Sequence, residues 1–283
     1  PASGDGSARS SLKRRRAEPA GAATGSVREA WHGDDGASPS ASGASGRGPD
    51  DADAPDEVLS FLIVFAGDGS AWHSLPNLLR GLGHRVAAVD TKLGGRAHDL
   101  TQAAVVAQLV ARIEAGEFDC VFLAPPCSSF SVRLPVRLRS SARPRGVAPV
   151  PAGWHEYLAR HNGLADAAAT LVQAAARAAV PMALENPADR ADDTSPAYWE
   201  AYADRASIWR LQTVSDALAA AGAAPFTFAQ CAPAIGGAAQ KWTTIAASRE
   251  LRHTLAGLAD CLCPHGAERH DEVLEGVNAA GQW

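Results

Sequence analysis

The sequence predicts an α/β fold with a mostly parallel central sheet and helices on both faces. Short apolar runs alternate with segments in which apolar residues recur at helical spacing, an order typical of strands joined by right-handed helical crossovers. Turns rich in glycine or polar residues follow several predicted strands, and ligands bind beyond the carboxyl ends of strands in such sheets. The 283 residues, 46% of them apolar, suffice for one full-sized domain with a tail. Since the first residue is Pro1, we expect a piece excised from something longer.

Residues 1–57 hold almost no large apolar side chains. Such a segment cannot bury enough surface to offset the entropy lost on ordering, so we interpret it as a disordered tail. Its basic run from Lys13 to Arg16 fits a solvated tail, with a nuclear-localisation or phosphate-contacting patch as the alternative. We expect one folded catalytic domain over 58–250 and a C-terminal extension over 251–283.

The folded domain begins with a strand, a helix and a strand. The apolar run at 59–65 predicts a strand buried on both faces, and a glycine turn at 67–70 follows it. Helical spacing of apolar residues over 72–82 predicts the next helix. A second short apolar run, 86–89, ends at Asp90.

The same alternation continues through the rest of the domain. Residues 120–123 predict a third strand, which two prolines end, and a long helix at 162–179 precedes a strand at 182–184. The other predicted elements are a helix over 102–115, with Val106, Leu109, Val110 and Ile113 inward, a helix around 211–222, and strands near 226–230 and 242–246.

The glycine turn is a candidate ligand site. Gly67 and Gly69 allow the backbone to approach a ligand closely, and the N-terminus of a helix follows. Asp90 can accept both hydroxyls of a ribose, and Asp99 could meet an adenine amino group. These features favour a nucleoside cofactor over a purely connecting turn. The third glycine of a dinucleotide fingerprint is missing, which disfavours NAD.

Cys127 lies in a turn, 124–131, directly after the third predicted strand. Two prolines stiffen this turn and fix the direction of Cys127. A thiol at such a sheet edge can act as a thiolate nucleophile, and the alternative is a half-buried structural cysteine. A thiol hydrolase is a weaker alternative, because nothing in the sequence places a histidine near Cys127.

A basic segment without acidic residues follows Cys127 at 133–145. Its prolines and glycine predict a loop rather than a helix. We interpret it as a mobile arm that meets phosphates beside the nucleophile, with an ordinary solvated loop as the alternative. Its arginines are Arg133, Arg137, Arg139, Arg143 and Arg145.

Glu185 ends another predicted strand, in the run 184–187. A carboxyl group in a desolvated pocket there can have a raised pKa and serve as an acid, and the alternative is a residue that caps the next turn. Because the carboxyl ends of parallel strands meet at one sheet edge, we expect Glu185 near the glycine turn, Asp90 and Cys127.

These stretches together resemble the cytosine-5 DNA methyltransferase family. FAGDGS at 65–70 is similar to its FxGxG motif, PPCSSFS at 125–131 to its PPCxxFS motif, and LENP at 184–187 to its ENV motif. The resemblance spans roughly 58–247 in the usual family order and extends to shorter methylase-like proteins of algal genomes and mobile elements. It implies an S-adenosylmethionine-dependent methyltransferase (Rossmann-like) fold.

The resemblance also implies residue roles. Cys127 would attack C6 of a flipped-out cytosine, Glu185 would hold N3 and the amino group as the acid, and C5 would take the methyl group. S-adenosyl-L-methionine would bind over Phe65, Gly67, Asp68, Gly69, Asp90 and Asp99. Besides the five arginines, nucleic acid would meet Ser131, Asn186, Gln240 and Lys241.

The chain departs from the family pattern at several points. Ser128 replaces the usual Gln after the nucleophile, and Pro187 replaces Val. The QxRxR motif is not found, with Gln240-Lys241 nearest to it, and the final motif is reduced to 276–278. No separate target-recognition domain fits the remaining length. The alternatives are therefore a non-catalytic module that binds nucleic acid or a protein partner, and an RNA cytosine methyltransferase.

Charge and cysteines indicate the setting. The net charge is −5, whereas dedicated non-specific nucleic-acid binders are usually basic. We expect DNA, with RNA as the alternative, and no membrane partner, since no apolar run approaches about 20 residues. Five irregularly spaced cysteines favour a nuclear or other intracellular reducing compartment. Zinc held by Cys261, Cys263, His265 and His270 is an alternative to the unbonded side chains that we predict.

Overall fold

Six strands form one mixed sheet in the computed structural model, which describes residues 57–72, 74–132, 134–232, 235 and 241–264. In chain order they are β1 (Ser60–Val64), β2 (Arg85–Val89), β3 (Cys120–Leu123), β4 (Met182–Pro187), β5 (Ala224–Ala229) and β6 (Trp242–Ala247). Their order across the sheet is β2-β1-β3-β4-β6-β5. The first four of these are parallel neighbours, and β6 runs antiparallel to β4 and β5. The prediction of a mostly parallel sheet is confirmed.

Helices cover the sheet. They are α1 (Leu75–Gly81), α2 (Thr91–Gly94), α3 (Ala103–Glu114), α4 (His155–Arg177), α5 (Gln212–Ala220) and α6 (Arg249–Leu255). α3 packs on α4 and α4 on α5, so these three helices form one layer. α1 belongs to the crossover that runs the opposite way along the sheet, and right-handed connections place it on the other face. Within the described ranges, no helix combines the length and apolar character that crossing a membrane requires.

The central strands are mostly apolar because both of their faces are covered. Residues 62–64 of β1 and 182–184 of β4 are at most 3% exposed. α4 turns a stripe rich in alanine towards the sheet, with Ala168, Leu171 and Val172 fully buried. Small side chains on this stripe let the long helix lie close to the strands.

Some helices differ from the sequence prediction. α4 begins at His155 rather than at residue 162. The sequence does not reveal this start, because the first turns of the helix are largely polar and no side-chain hydrogen bond caps its N-terminus. α3 buries Val105 along with Leu109 and Ile113, whereas Val106 and Val110 are half-buried. The apolar spacing does predict α1, but Leu75 and Leu78 of this helix and Leu82 directly after it are exposed.

The strand order creates a crevice at one edge of the sheet. The chain leaves β1 for β2 on one side and returns past it to β3 on the other. Such a reversal opens a crevice beyond the carboxyl ends of the two strands, where ligands bind in open α/β sheets. Val64 lies opposite both Val89 and Leu123, so β1, β2 and β3 end at the same level.

Candidate active site

The turns after β1, β2 and β3 carry Gly67, Asp90 and Cys127 to the same edge of the sheet. Leu184 is paired with Leu123, the last residue of β3, so Glu185 lies one residue beyond the level at which β3 ends. β4 continues to Pro187, past its predicted end, because this part of it pairs with β6. The structure therefore brings the four predicted features to one edge.

The glycine loop is fixed from two sides. Gly67 donates its N–H to Asp90 Oδ2 at 3.0 Å, which ties the loop to the end of β2. Asn77 of α1 donates to the carbonyl oxygens of Gly69 and Ala71 at 2.9 and 3.1 Å. Gly67 and Gly69 have φ of 76° and 66°, where glycine alone is unstrained. Phe65 adopts φ of 61° as well, a conformation that costs a non-glycine residue about 1–2 kcal/mol.

The three acidic residues of this region organise their own turns. Asp90 Oδ1 accepts the N–H of Lys92 at 2.9 Å and caps α2. Asp68 accepts the N–H and hydroxyl of Ser70, and these bonds lower the pKa of the exposed Asp68 carboxyl. Asp99 accepts the N–H and the hydroxyl of Thr101. Burial raises the pKa of Asp99, but these hydrogen bonds oppose burial and the net shift of the pKa is downward.

His98 stands behind Asp90 and was not among the predicted site residues. Its Nδ1 lies 3.3 Å from the backbone nitrogen and 3.2 Å from the carbonyl oxygen of Asp90. Burial lowers the pKa of the imidazole. Gly94 packs against the ring so closely that a Cβ there would approach it to 2.3 Å. No sequence motif marks a histidine whose role depends on this packing.

The turn that carries Cys127 is held by its own backbone and by β4. The carbonyl oxygen of Cys127 accepts the N–H groups of Phe130 and Ser131, both at 2.8 Å. Asn186 donates its side-chain amide to the carbonyl oxygen of Pro125 at 2.8 Å. Asn186 is 1% exposed, so its predicted contact with nucleic acid is wrong: its side chain faces the turn.

Glu185 lies on β4, opposite Ile245 of β6. Its side chain is 21% exposed, and Lys241 Nζ lies 3.7 Å from its Oε1. Burial raises the pKa of the Glu185 carboxyl, and Lys241 only partly opposes this effect. A carboxyl group with a raised pKa keeps its proton to a higher pH than a solvated one and can then donate a hydrogen bond. Lys241, predicted to meet nucleic acid, pairs with this acid.

A hydrogen-bond network next to Cys127 was missed by the sequence reasoning. Ser128 Oγ lies 3.0 Å from His161 Nε2 and accepts the hydroxyl of Tyr157 at 2.7 Å. His161 Nδ1 lies 2.9 Å from the carbonyl oxygen of Tyr157, one turn earlier in α4. The sequence places no histidine near Cys127, but the structure places His161 within hydrogen-bonding distance of Ser128, the next residue in the chain. The signal was the i, i+4 spacing of Tyr157 and His161 on one helix face.

The segment after Cys127 is folded rather than a mobile arm. Leu134 and Leu138 form a small apolar cluster with Leu158 of α4. Arg139 is 2% exposed and stacks on Phe130, with its guanidinium carbon 3.8 Å from the ring centroid. The predicted phosphate contact of Arg139 is wrong, because its guanidinium is enclosed.

The guanidinium of Arg139 donates to four acceptors. These are the carbonyl oxygen and hydroxyl of Ser129, the carbonyl oxygen of Pro144 and Asn162 Oδ1. Burial lowers the pKa of Arg139 to about 9. The side chain joins the Cys127 turn, the following loop and α4.

The remaining nucleic-acid candidates divide into paired and exposed residues. Arg137 pairs with Asp204, and Arg145 forms a two-pronged ion pair with Asp166 at 2.6 and 2.9 Å. Arg143 is exposed, with one bond of 3.4 Å to a backbone carbonyl. Arg133 and Gln240 lie outside the described residues.

Cys263, one of the four zinc candidates, lies near Cys231, which was not among them. Cys263 packs against an apolar cluster that contains Cys231. Burial and a hydrogen bond with Cys263 raise the pKa of Cys231 to about 11. Over the described part of the chain, no group of three or more histidine, cysteine or acidic side chains is arranged to hold a metal ion. His265 and His270 lie outside the described residues.

No protein-family model matches the sequence, and no curated protein matches it either. The solved structures that match include a methyltransferase of Entamoeba histolytica, EhMeth, at 13% identity and a TM-score of 0.31. The match covers 68% of this chain and 53% of that chain, so it spans about half of the neighbour's length. A TM-score this low does not establish a shared fold.

Proposed function

We propose that this chain is an S-adenosylmethionine-dependent methyltransferase that modifies C5 of cytosine in DNA through a covalent Cys127 adduct. The proposal is carried by one observation: a left-handed glycine loop, an acidic strand end, a thiol in a braced turn and a half-buried carboxyl lie at the carboxyl ends of β1, β2, β3 and β4, at one edge of the sheet. Each group matches the chemistry that its motif implies in the cytosine-5 family. The proposal also takes the sheet as a version of that family's Rossmann-like fold.

The loop fits a nucleoside cofactor. Gly67 and Gly69 keep the loop backbone open to close approach, since a Cβ at Gly67 would meet no atom within 4 Å. Each oxygen of the Asp90 carboxylate accepts one backbone N–H, and a carboxylate has about four acceptor positions, so ribose hydroxyls can still bind. Asp99 would take the adenine amino group and Phe65 would cover the ring. When bound, S-adenosylmethionine supplies a methyl group on a sulfonium sulfur.

Cys127 and Glu185 divide the work on the base. Cys127 Sγ, once deprotonated, forms a bond to C6, which loads electron density onto C5. Glu185, whose pKa burial raises, would donate its proton to N3 and so stabilise the charge that develops on the ring. Lys241 keeps Glu185 in place at 3.7 Å. A cytosine inside a duplex is out of reach of these groups, so the target must be flipped or single-stranded.

Methyl transfer tests the proposal directly. The protein is incubated with labelled S-adenosylmethionine and with duplex DNA, single-stranded DNA or RNA of the same sequence. We expect label on cytosine C5 in DNA, and no label with Cys127→Ser, while Cys261→Ser keeps wild-type transfer. DNA that contains 5-fluorocytosine should trap the wild-type protein covalently. Label on RNA alone would move the proposal to an RNA substrate.

A non-catalytic nucleic-acid-binding module is the second candidate. It is favoured by the lack of a QxRxR motif in the sequence, since Lys241 of the nearest candidate pairs with Glu185. It predicts cofactor binding without transfer to any nucleic acid. Salt-dependent DNA binding that survives Cys127→Ala would support it.

We propose an intracellular, reducing setting for either function, with the nucleus as the expected compartment.

A further inference from the structure

Ser128, Tyr157 and His161 form a chain of hydrogen bonds whose direction is fixed. The carbonyl oxygen of Tyr157 can only accept, so His161 Nδ1 carries a proton and donates to it at 2.9 Å. Nε2 of a neutral imidazole is then an acceptor, and the hydroxyl of Ser128 donates to it at 3.0 Å. The hydroxyl of Tyr157 fills one lone pair of Ser128 Oγ at 2.7 Å. A hydroxyl oxygen has two lone pairs, so Ser128 Oγ can accept one further donor.

The surroundings of His161 keep the imidazole neutral. Its side chain is 8% exposed, and burial is the main cause of its lowered pKa. Arg139 and Arg160 add positive charge near the ring and lower the pKa further, while the backbone bond to Tyr157 raises it. The Tyr157 ring lies against it, with centroids 4.1 Å apart. A neutral, oriented imidazole is therefore available as a base at pH 7.

We infer that Ser128, Tyr157 and His161 form a proton relay that takes the proton of the neighbouring Cys127 thiol. As Sγ attacks, the S–H bond breaks and its proton passes to Ser128 Oγ. The proton of Ser128 passes to His161 Nε2, which becomes an imidazolium that still donates from Nδ1 to the Tyr157 carbonyl. The sulfur keeps the electron pair of the broken bond and uses it to form the new bond. The three residues act through Cys127 and are positioning residues.

The geometry matches the arrangement that activates nucleophiles elsewhere. A nucleophile needs a base within about 2.6–3.2 Å, and the base needs a third group that fixes its tautomer. Here Ser128 Oγ lies 3.0 Å from His161 Nε2, within that range, and the Tyr157 carbonyl fixes the tautomer of His161. Ser128 follows Cys127 directly in a turn braced by two hydrogen bonds to the Cys127 carbonyl. The inference rests on the role of Cys127 in the proposed function.

Alkylation of Cys127 by iodoacetamide tests the relay without cofactor or nucleic acid. The rate at each cysteine is measured by peptide mass spectrometry between pH 5 and 9. In the wild type we expect the Cys127 rate to rise with the deprotonation of His161, below its ordinary pKa of 6.5, and to level off by neutral pH. Cys120 and Cys231 are internal references, since burial raises their pKa to about 12 and about 11.

Matched variants separate relay from structure. Ser128→Ala and His161→Gln should lower the Cys127 rate at pH 7 at least about tenfold and move its midpoint towards that of a free thiol, about 8.5. Ser128→Thr, which keeps the hydroxyl, should restore the profile. Ser129→Ala alters the same turn, but its hydroxyl meets Arg139 and not His161, so its midpoint should stay at the wild-type value.

Three results would overturn the relay. They are an unchanged pH profile in Ser128→Ala, an equal shift of the midpoint in Ser129→Ala, and labelling of Ser128 itself by a fluorophosphonate, which would make Ser128 the nucleophile. Each is read without methyl transfer. The two proposals can therefore fail separately. If the alkylation results are as expected but no methyl group is transferred, the proposed function is refuted and the relay that activates Cys127 is retained.

Discussion

At the scale of single residues, two asparagines hold the two loops that matter most. Asn186 donates to the carbonyl oxygen of Pro125 in the Cys127 turn, and Asn77 donates to the carbonyl oxygens of Gly69 and Ala71 in the glycine loop. Neither asparagine faces the crevice as a reacting group. Each holds the backbone of one loop in place. Asn186 should therefore affect the nucleophile Cys127, and Asn77 should affect cofactor binding.

Replacing each asparagine should therefore affect a different measurement. Asn186→Ala leaves the Pro125 carbonyl buried without its donor, so it should lower the free energy of unfolding by about 1–3 kcal/mol and change the alkylation rate of Cys127. Asn77→Ala should weaken S-adenosylmethionine binding in titration calorimetry and leave Cys127 alkylation unchanged. If both variants altered both readouts equally, the two loops would not be independently supported.

At the scale of elements, the sequence predicts the strands better than it predicts what lies between them. Strands covered on both faces are continuous apolar runs, so the positions of β1 and β3 follow from the sequence alone. β4 extends past its prediction because its second half pairs with β6, a long-range partner that no local pattern reveals. The glycine loop, Asp90, Cys127 and Glu185 follow from the same strand ends.

The segment at 134–150 shows why the rest could not be predicted. Its arginines look like a solvated basic loop because a sequence lists charges but not the cavity that one of them fills. Arg139 is enclosed by acceptors from Ser129, Pro144 and Asn162, which are 5 to 23 residues away. His161 was missed for a similar reason, since its partner Ser128 lies 33 residues earlier.

The folded state of this segment can be tested by two arginine variants. Arg139→Met removes the donors of four buried or half-buried acceptors, so it should lower the free energy of unfolding by about 2–4 kcal/mol and admit protease cleavage within 134–150. Arg139→Lys should rescue little, because an ammonium cannot reproduce the planar fork.

The matched control is Arg143→Ala. Arg143 is exposed, so its replacement should change the free energy of unfolding by less than about 0.5 kcal/mol. The slope of DNA affinity against salt concentration should decrease by about one, as expected for the loss of one phosphate contact. An Arg139→Met protein with wild-type stability and proteolysis would contradict the structural role of Arg139 and return it to the solvated loop.

At the scale of the whole molecule, buried titratable groups on the crevice side set the response to pH. Burial lowers the pKa of His98 and of His161, and burial raises the pKa of Glu185. The histidines stabilise the fold most above their ordinary pKa of 6.5. Glu185 contributes most below its ordinary pKa of 4.5. Between those values the two kinds of group oppose each other.

The sign of the net effect follows from linkage. As pH falls from 7.5 to 5.5, the unfolded chain binds protons at both histidines while the folded protein resists them, so the free energy of unfolding decreases. Glu185 acts in the other direction as the pH falls further towards its ordinary pKa of 4.5, because the folded protein takes up its proton at a higher pH than the unfolded chain. Urea denaturation at several pH values should therefore show a smaller loss in His98→Gln and a larger loss in Glu185→Gln than in the wild type. Equal slopes in all three proteins would mean that these groups are not buried as described, and with them the protonated acid that the reaction requires.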